Sequence, residues 1–479
     1  IIPLLLYLLT FVLAFARRQW ISPRRAAAWL PLIMFLPVVL LVLELKTPAW
    51  AVIPAHLLAF FLAALVCHQQ LARLRPQTRE LTDFYLWMSA GGVVGGIFNA
   101  LIAPAIFTSA AEYPLGLVLA CLLRPASDEA HSHVNRFEVL TAIGLGLFVL
   151  PLSDLTHALL PNLDPTLARA FIFGVPLLGA AAFASNPVRF GIALGTVFLS
   201  STFLAGLENR VLYEHRNFFG ISRVLDDREA SYRYLVNGAT LHGMQALNPA
   251  RAGEPLSYYS ANGPAGQLFD SFSGPLEKRR IAAIGLGAGT LACYATPGQQ
   301  WTFFEINPAV VYIARDSGYF TFLRTCMPTA SYVLGDARLT LGKMSGDFDL
   351  IILDAFSSDA IPIHLITREA LALYLRKLAP GGVLFFHITN RHLDLAPVLG
   401  ELAQDAGLTA IIQQYEPSVE DKARGDLATV WLAMARREED LGSLAHDPRW
   451  SALRGRPNAT PWSDDFSNLV SALRWKIRK

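Results

Sequence analysis

Arg280-Ile-Ala-Ala-Ile-Gly-Leu-Gly-Ala-Gly-Thr290, followed by Trp301-Thr-Phe-Phe-Glu305, decides how the chain reads. An apolar run of strand length ends in Gly285, Gly287 and Gly289. A helix-length segment follows, and a second apolar run closes on an acid, Glu305. The pattern predicts a strand, a tight glycine turn and a helix N-terminus, where backbone can approach a nucleotide without side-chain interference. Glu305, about 20 residues past the turn, stands where a carboxylate accepts hydrogen bonds from ribose hydroxyls. The glycines read G-x-G-x-G and not the G-x-G-x-x-G of dinucleotide enzymes, which favours a nucleoside without a bound pyrophosphate. A plain strand-to-helix turn is the bland alternative, and the acids further along weigh against it.

Apolar runs continue at 281–284, 301–304, 330–334, 348–353, 383–388, 409–414 and 427–434, most of them separated by helix-length segments. This predicts a doubly wound α/β sheet with helices on both faces. The last two runs lack a helix between them, which suggests a terminal antiparallel strand. In such sheets ligands bind beyond the carboxyl ends of the strands. The chemically suggestive residues fall there: Gly285, Glu305, Gly335-Asp336 and Asp354. Asp336 is suited to accept a hydrogen bond from an exocyclic purine amine. The loop Asp354-Ala-Phe-Ser-Ser-Asp-Ala-Ile-Pro-Ile-His364 adds a second carboxylate, Asp359. Paired acids suit amine chemistry, because an alkylammonium must lose a proton before it attacks.

Before this sheet, Arg216-Asn-Phe-Phe-Gly-Ile-Ser-Arg-Val-Leu225 and Tyr232-Arg-Tyr-Leu-Val-Asn-Gly238 alternate apolar with polar. They predict half-buried strands of a small antiparallel β-domain, with His242 at a strand end as a satisfied or substrate-facing histidine. After the sheet, Pro461-Trp-Ser-Asp-Asp-Phe466 is an aromatic, acid-rich turn before a last helix.

The chain has 479 residues and is 53% hydrophobic and 16% charged, against about 25% charged in soluble domains. Apolar stretches recur at 2–16, 27–45, 50–67, 84–107, 113–123, 137–152, 167–184 and 188–207. Several reach the roughly 18–20 residues that span a bilayer. The run Gly91-Gly-Val-Val-Gly-Gly96 predicts close helix packing in lipid. Arg17, Arg18, Arg24 and Arg25 in the first loop, and Arg73, Arg75 and Arg79 in the third, put both loops in the cytoplasm. Eight crossings put the C-terminal half outside. The shortest stretch has the length of a re-entrant segment, so about seven spans are expected, in an inner (plasma) membrane with the catalytic domain in the cytoplasm. His68, Asn99, Glu112 and His157 are polar groups within this half, expected at interfaces facing water, with Asn99 and Glu112 also candidates to line a cavity.

A net charge of +2 without a Lys/Arg block argues against nucleic acid. Cys67, Cys121, Cys293 and Cys326 are scattered without zinc spacing, and are expected to be buried thiols in a reducing compartment. No metal is expected. The chain opens at Ile1 inside an apolar run, which is not read as a signal peptide.

From about Tyr213 to Arg436 these residues resemble the spermidine synthases (polyamine aminopropyltransferases), specifically their membrane-fused variety. The resemblance implies a β-domain followed by a class I methyltransferase-like sheet. It implies ribose binding by Glu305, adenine binding by Asp336-Ala337, activation of an acceptor amine by Asp354, and help from Asp359. The reaction implied is displacement at the carbon beside a sulfonium, releasing 5'-methylthioadenosine. Three departures stand out. Ala288 occupies the place of the loop acid that grips the aminopropyl ammonium of decarboxylated S-adenosylmethionine. Asp354 and Asp359 are spaced wider than the family's acid pair. Tyr259, in Ser257-Tyr-Tyr-Ser260, takes the place of the glutamine that follows a tyrosine at the family's domain junction, and with His242 it completes the substrate-binding candidates.

The expected architecture is multi-domain: a polytopic α-helical membrane domain (1–207), a small antiparallel β-domain (208–270), an α/β doubly wound catalytic domain (271–440) and a C-terminal tail (441–479). The expected co-substrate is decarboxylated S-adenosylmethionine or S-adenosylmethionine. The expected partners are a small-molecule amine, the lipid bilayer and a second copy in a homo-oligomer. The leading activity is aminopropyl transfer to a polyamine. The alternatives are self-cleavage of S-adenosylmethionine to methylthioadenosine and a lactone, methyl transfer, and a nucleoside-gated transporter or sensor.

Overall fold

The structure, a computed structural model, describes all residues except 1, 46–47, 127–134, 209, 228–230, 239, 273–277, 356–361, 391–392, 458 and 475–479. The chain divides into two units, Ile1–Glu208 and Asn209–Lys479.

The first unit is helical. Among the described residues five segments are long and apolar enough to cross a membrane: Pro23–Val42, Ala49–Arg73, Thr78–Ile106, Arg136–Leu159 and Pro187–Ala205. Three apolar helices are shorter, Ile2–Phe15, Glu112–Leu122 and Pro165–Ala181. The glycine run 91–96 does not bring helices together as expected: Gly91, Gly92, Gly95 and Gly96 have no neighbour within 4 Å of a Cβ position. Close approach occurs instead at Gly146, whose Cβ would meet Thr196 at 2.0 Å, and at Gly191, whose Cβ would meet Leu122 at 2.5 Å. Of the polar groups, His68, Asn99 and His157 have hydrogen-bond partners, and His68 is buried and not at an interface as expected. His68 Nδ1 lies 3.0 Å from Thr10 Oγ1, His157 Nδ1 lies 2.8 Å from the Ser153 carbonyl, and Asn99 donates to the Gly95 carbonyl one turn back.

The second unit opens with a four-stranded antiparallel meander, β1 (Arg210–Asn217), β2 (Gly220–Asp226), β3 (Tyr232–Asn237) and β4 (Thr240–Ala246). The expected single strand 216–225 is thus a hairpin. Gly220 at φ 117° turns the chain, and Asn217 accepts from Phe219 N at 2.9 Å. Alternation alone gave no sign of this turn, because Phe218 and Phe219 continue the apolar pattern.

Eight further strands follow: β5 (Arg280–Ile284), β6 (Gln300–Glu305), β7 (Ser331–Leu334), β8 (Phe348–Leu353), β9 (Leu378–His387), β10 (Thr409–Tyr415), β11 (Thr429–Ala435) and β12 (Ser451–Ala452). They form one sheet in the order β12-β10-β11-β9-β8-β5-β6-β7. The neighbours β9-β8-β5-β6-β7 are parallel, whereas β11 runs antiparallel to both β9 and β10. A six-residue helix, Val419–Arg424, does separate β10 from β11. Its brevity explains why it escaped the reading of spacing.

Alternate residues of the central strands feed two cores. Ile281, Ala283, Trp301, Phe303, Leu350 and Ile352 point to one face, and Ala282, Ile284, Phe304, Ile351 and Leu353 to the other. Burial on both faces is what a parallel sheet between helices requires. Two expectations are corrected here. The glycine turn leads into a five-residue 3-10 helix, Thr290–Tyr294, and not a long helix. The Thr296-Pro-Gly-Gln299 turn ends it early, with Gly298 at φ 93°. Cys293 at the end of that helix is joined by a disulfide to Cys326, 33 residues on, so these are not the free thiols expected. Cys67 and Cys121 are free.

Candidate active site

Register brings the strand ends into line. Ile284 pairs with Phe304 and with Leu353, and Glu305 pairs with Leu334. The residues that follow, Gly285, Ile306, Gly335 and Asp354, therefore share one edge of the sheet. Beyond it lies a cavity of about 870 Å³ of free space, open to solvent. Its walls include the glycine turn, Glu305, Asp336, Asp354 and, from the meander, Phe219, Asn237 and His242.

Gly285, Gly287 and Gly289 all have positive φ, at 101°, 53° and 87°. A Cβ on Gly285 would lie 2.1 Å from the Asp354 carbonyl oxygen, one on Gly287 2.4 Å from that of His242, and one on Gly289 2.7 Å from Leu323. Conformation and surrounding protein both demand glycine here. Ala288 is 1% exposed and packs against Gly243, where an added Cβ would come within 2.4 Å of the alanine methyl. The place of the loop acid is therefore a buried contact with β4.

Glu305 is half-buried. Its Oε2 accepts from Leu286 N at 3.1 Å and its Oε1 from Asn307 N at 2.8 Å. Burial raises its carboxyl above the ordinary range. The backbone N–H groups of Asn307, Leu286 and Ile306 oppose that shift, and the charge of Asp354 adds to it. Each oxygen keeps a lone pair for a ribose hydroxyl.

Asp336 caps the helix Ala337–Lys343, accepting from Leu339 N at 3.1 Å through Oδ1. Its Oδ2 lies 2.8 Å from His364 Nε2, and both residues border the cavity with Ala337. Asp354 is more enclosed, its side chain 8% exposed. Tyr259 donates its phenol to Asp354 Oδ2 at 2.6 Å, and His387 Nδ1 lies 2.7 Å from Oδ1. Burial, reinforced by the Asp354 charge, pushes the Tyr259 phenol well above its usual value, so it remains a donor. Tyr259 thus reaches the site through Asp354. His242 contributes its carbonyl, which accepts from Ala288 N at 3.3 Å. Asp359 lies outside the described residues.

Glu305, Asp336, Asp354 and the glycines thus surround one cavity, an arrangement able to hold a nucleoside and to present one enclosed carboxylate to a second group. No family model matches the chain. It is 35% identical over 126 residues to the polyamine aminopropyltransferase of Vibrio vulnificus, covering 25% of this chain and 39% of that protein. It is 33% identical over 122 residues to the polyamine aminopropyltransferase of Nitrosomonas europaea, covering 25% and 35%. The chain is spermidine-synthase-like. The matched segments span less than half the length of either relative. A probable spermidine synthase structure from Corynebacterium glutamicum aligns with 54% of this chain and 98% of its own, at 16% identity and a TM-score of 0.39.

The site holds residues that the sequence reading missed. His387 ends β9 as Glu305 ends β6, so the strand-end argument reached its position but was applied only to acids. His364 and Asn307 follow strand ends by a loop, and no spacing marks them as partners of Asp336 and Glu305. The tail also meets the site's supports. Asp464 holds Arg338 at 2.7 and 2.6 Å and accepts from Thr367 at 2.9 Å, while Trp462 is 1% exposed in the core.

Proposed function

We propose that this chain is a membrane-anchored enzyme that binds an adenosyl sulfonium and transfers its aminopropyl group to an amine, releasing 5'-methylthioadenosine. The observation carrying this reading is the convergence of Glu305, Asp336 and Asp354, from the ends of β6, β7 and β8 in one parallel set, on one cavity. In this reading Glu305 takes the ribose hydroxyls, and the Asp336–His364 pair faces the base. Asp354 receives a proton from the acceptor ammonium. The amine lone pair then forms the C–N bond at the carbon beside sulfur. The C–S bond breaks with its electron pair on sulfur, which leaves as a neutral thioether. Holding both partners in line supplies most of the acceleration, and the carboxylate adds general-base assistance of roughly 10²–10⁴-fold. The relatives named above support the donor as decarboxylated S-adenosylmethionine and the acceptor as a polyamine.

The first unit would anchor the enzyme, with the arginine loops 17–25 and 73–79 on the cytoplasmic side. Glu112–Leu122 has 11 residues and spans about 16 Å at 1.5 Å per residue, too short to cross. Seven crossings would leave the α/β unit in the cytoplasm.

The test is product analysis of the full-length protein and of Asp354→Asn. Decarboxylated donor with putrescine should give methylthioadenosine and an aminopropylated amine, and Asp354→Asn should bind methylthioadenosine normally but turn over at least about 100-fold more slowly. Methylthioadenosine from intact S-adenosylmethionine without an acceptor would replace transfer by self-cleavage, and S-adenosylhomocysteine would replace it by methyl transfer.

A further inference from the structure

We infer that His387 is a positioning residue for Asp354, fixing the carboxylate that the transfer reaction uses; the inference rests on the function proposed above. The imidazole is 4% exposed and lies stacked on Trp431, with centroids 4.4 Å apart and planes 12° from parallel. Its Nδ1 lies 2.7 Å from Asp354 Oδ1, and its Nε2 lies 2.8 Å from Thr389 Oγ1 and 3.0 Å from Thr429 Oγ1.

Proton bookkeeping assigns the tautomer. Thr389 Oγ1 already accepts from Val430 N at 2.9 Å and stands 2.9 Å from Thr429 Oγ1. Two hydroxyls in contact can satisfy each other with one proton, which leaves the second to donate to Nε2. With Nε2 accepting, the ring proton sits on Nδ1 and points at Asp354, which as a carboxylate is an acceptor. Asp354 is then gripped from both sides, by Nδ1–H on Oδ1 and by the Tyr259 phenol on Oδ2. Two donors fixed in buried rings hold the carboxyl plane, so its remaining lone pairs keep one direction toward the cavity. The flat Trp431 contact and the threonine pair in turn fix the imidazole.

During transfer His387 keeps its proton. The proton leaving the ammonium goes to Asp354, the C–N bond forms, and the electron pair of the broken C–S bond stays on sulfur. The contribution of His387 is to geometry in the reacting complex. It should therefore appear in kcat and not in donor KM.

The experiment compares the full-length wild type with His387→Leu and His387→Asn. Leucine removes the donor, whereas the asparagine amide nitrogen stands near the position of Nδ1. Expected are a fall in kcat of about 100-fold for His387→Leu, recovery of at least about ten-fold of that loss in His387→Asn, and unchanged donor KM in both. Methylthioadenosine affinity by calorimetry should match wild type in both variants. Wild-type kcat in His387→Leu overturns the inference, as does His387→Asn performing no better than leucine. Loss of nucleoside affinity in both variants also overturns it, since the role is then structural. If the wild type releases no methylthioadenosine, the functional reading falls, and the ¹⁵N spectrum of histidine-labelled protein decides the pairing alone. A ring protonated at Nδ1, shifted in Asp354→Asn, supports it; one protonated at Nε2 overturns it.

Discussion

Gly287 passes so close to strand β4 that a Cβ on it would lie 2.4 Å from the His242 carbonyl oxygen. The same turn is tied to β6, where Leu286 N donates to Glu305. The glycines therefore shape the site by letting the loop slip between a neighbouring strand and Glu305. At φ 53°, Gly287→Ala combines a backbone conformation unfavourable to L residues with a backbone clash. A cost of about 1–3 kcal/mol follows, with Leu286 displaced from Glu305. The variant should melt several degrees lower and bind methylthioadenosine at least ten-fold more weakly. Thermal unfolding and calorimetry indistinguishable from wild type would refute this account of the turn.

How far the sequence carried can be judged from particular elements. Long runs such as Phe348–Leu353 were legible because burial on both faces writes a continuous apolar string. The common edge of Glu305, Asp336 and Asp354 followed from strand ends alone. The hairpin at Phe218-Phe219 was not legible, because its turn depends on a glycine at positive φ and an asparagine side chain inside an apolar run. The 3-10 helix Thr290–Tyr294 was hidden for another reason: it is fixed by packing on Leu323 and by the link to Cys326. His387 was missed because a neutral-looking histidine at the end of an apolar strand has no signature until its partners converge from residues 354, 389 and 429.

Tyr259→Phe deletes one of the two donors on Asp354 and little else, since the phenol oxygen meets the carboxylate at 2.6 Å and the ring stays buried. A hydrogen bond to a charged group contributes about 1.5–3 kcal/mol. If half of that is expressed in the reacting complex, turnover falls about 3- to 13-fold. Initial rates should show this drop, with the melting temperature lowered by only a few degrees. A large stability loss with normal rates would make Tyr259 a core residue only.

If Glu305 is the ribose acceptor proposed above, nucleoside binding is sensitive to pH. Its carboxyl is raised chiefly by burial, so the folded state holds the proton more tightly than the unfolded chain does. By linkage, its contribution to stability is fully present below the unfolded value and is lost as pH rises through the folded one. Ligand binding runs the other way, because ribose hydroxyls donate to the ionised form. Methylthioadenosine affinity should therefore weaken as pH falls, beginning above the ordinary glutamate value of about 4.3. Glu305→Gln should bind weakly at every pH and lose this dependence. A flat affinity profile in the wild type would exclude Glu305 as the ribose acceptor.

Cys293 and Cys326 connect chemistry to topology. Their disulfide ties the short helix behind the glycine turn to the helix Phe322–Cys326. Cross-links of this kind contribute about 2–4 kcal/mol, so Cys293→Ser should lower the melting temperature of protein purified without reductant. Denatured without reductant, the wild-type protein should present two reactive thiols, Cys67 and Cys121, and after reduction four. Inside cells the count reports the side of the membrane, because the cytoplasm keeps most thiols reduced. Seven crossings predict four reactive thiols in acid-quenched cells, with the pair closing only on purification. Two thiols in quenched cells would overturn the seven-crossing reading and put the α/β unit on the other side of the membrane. The α/β unit would then lie beyond the reach of a cytoplasmic sulfonium, and the donor would have to be sought among nucleosides outside the cell.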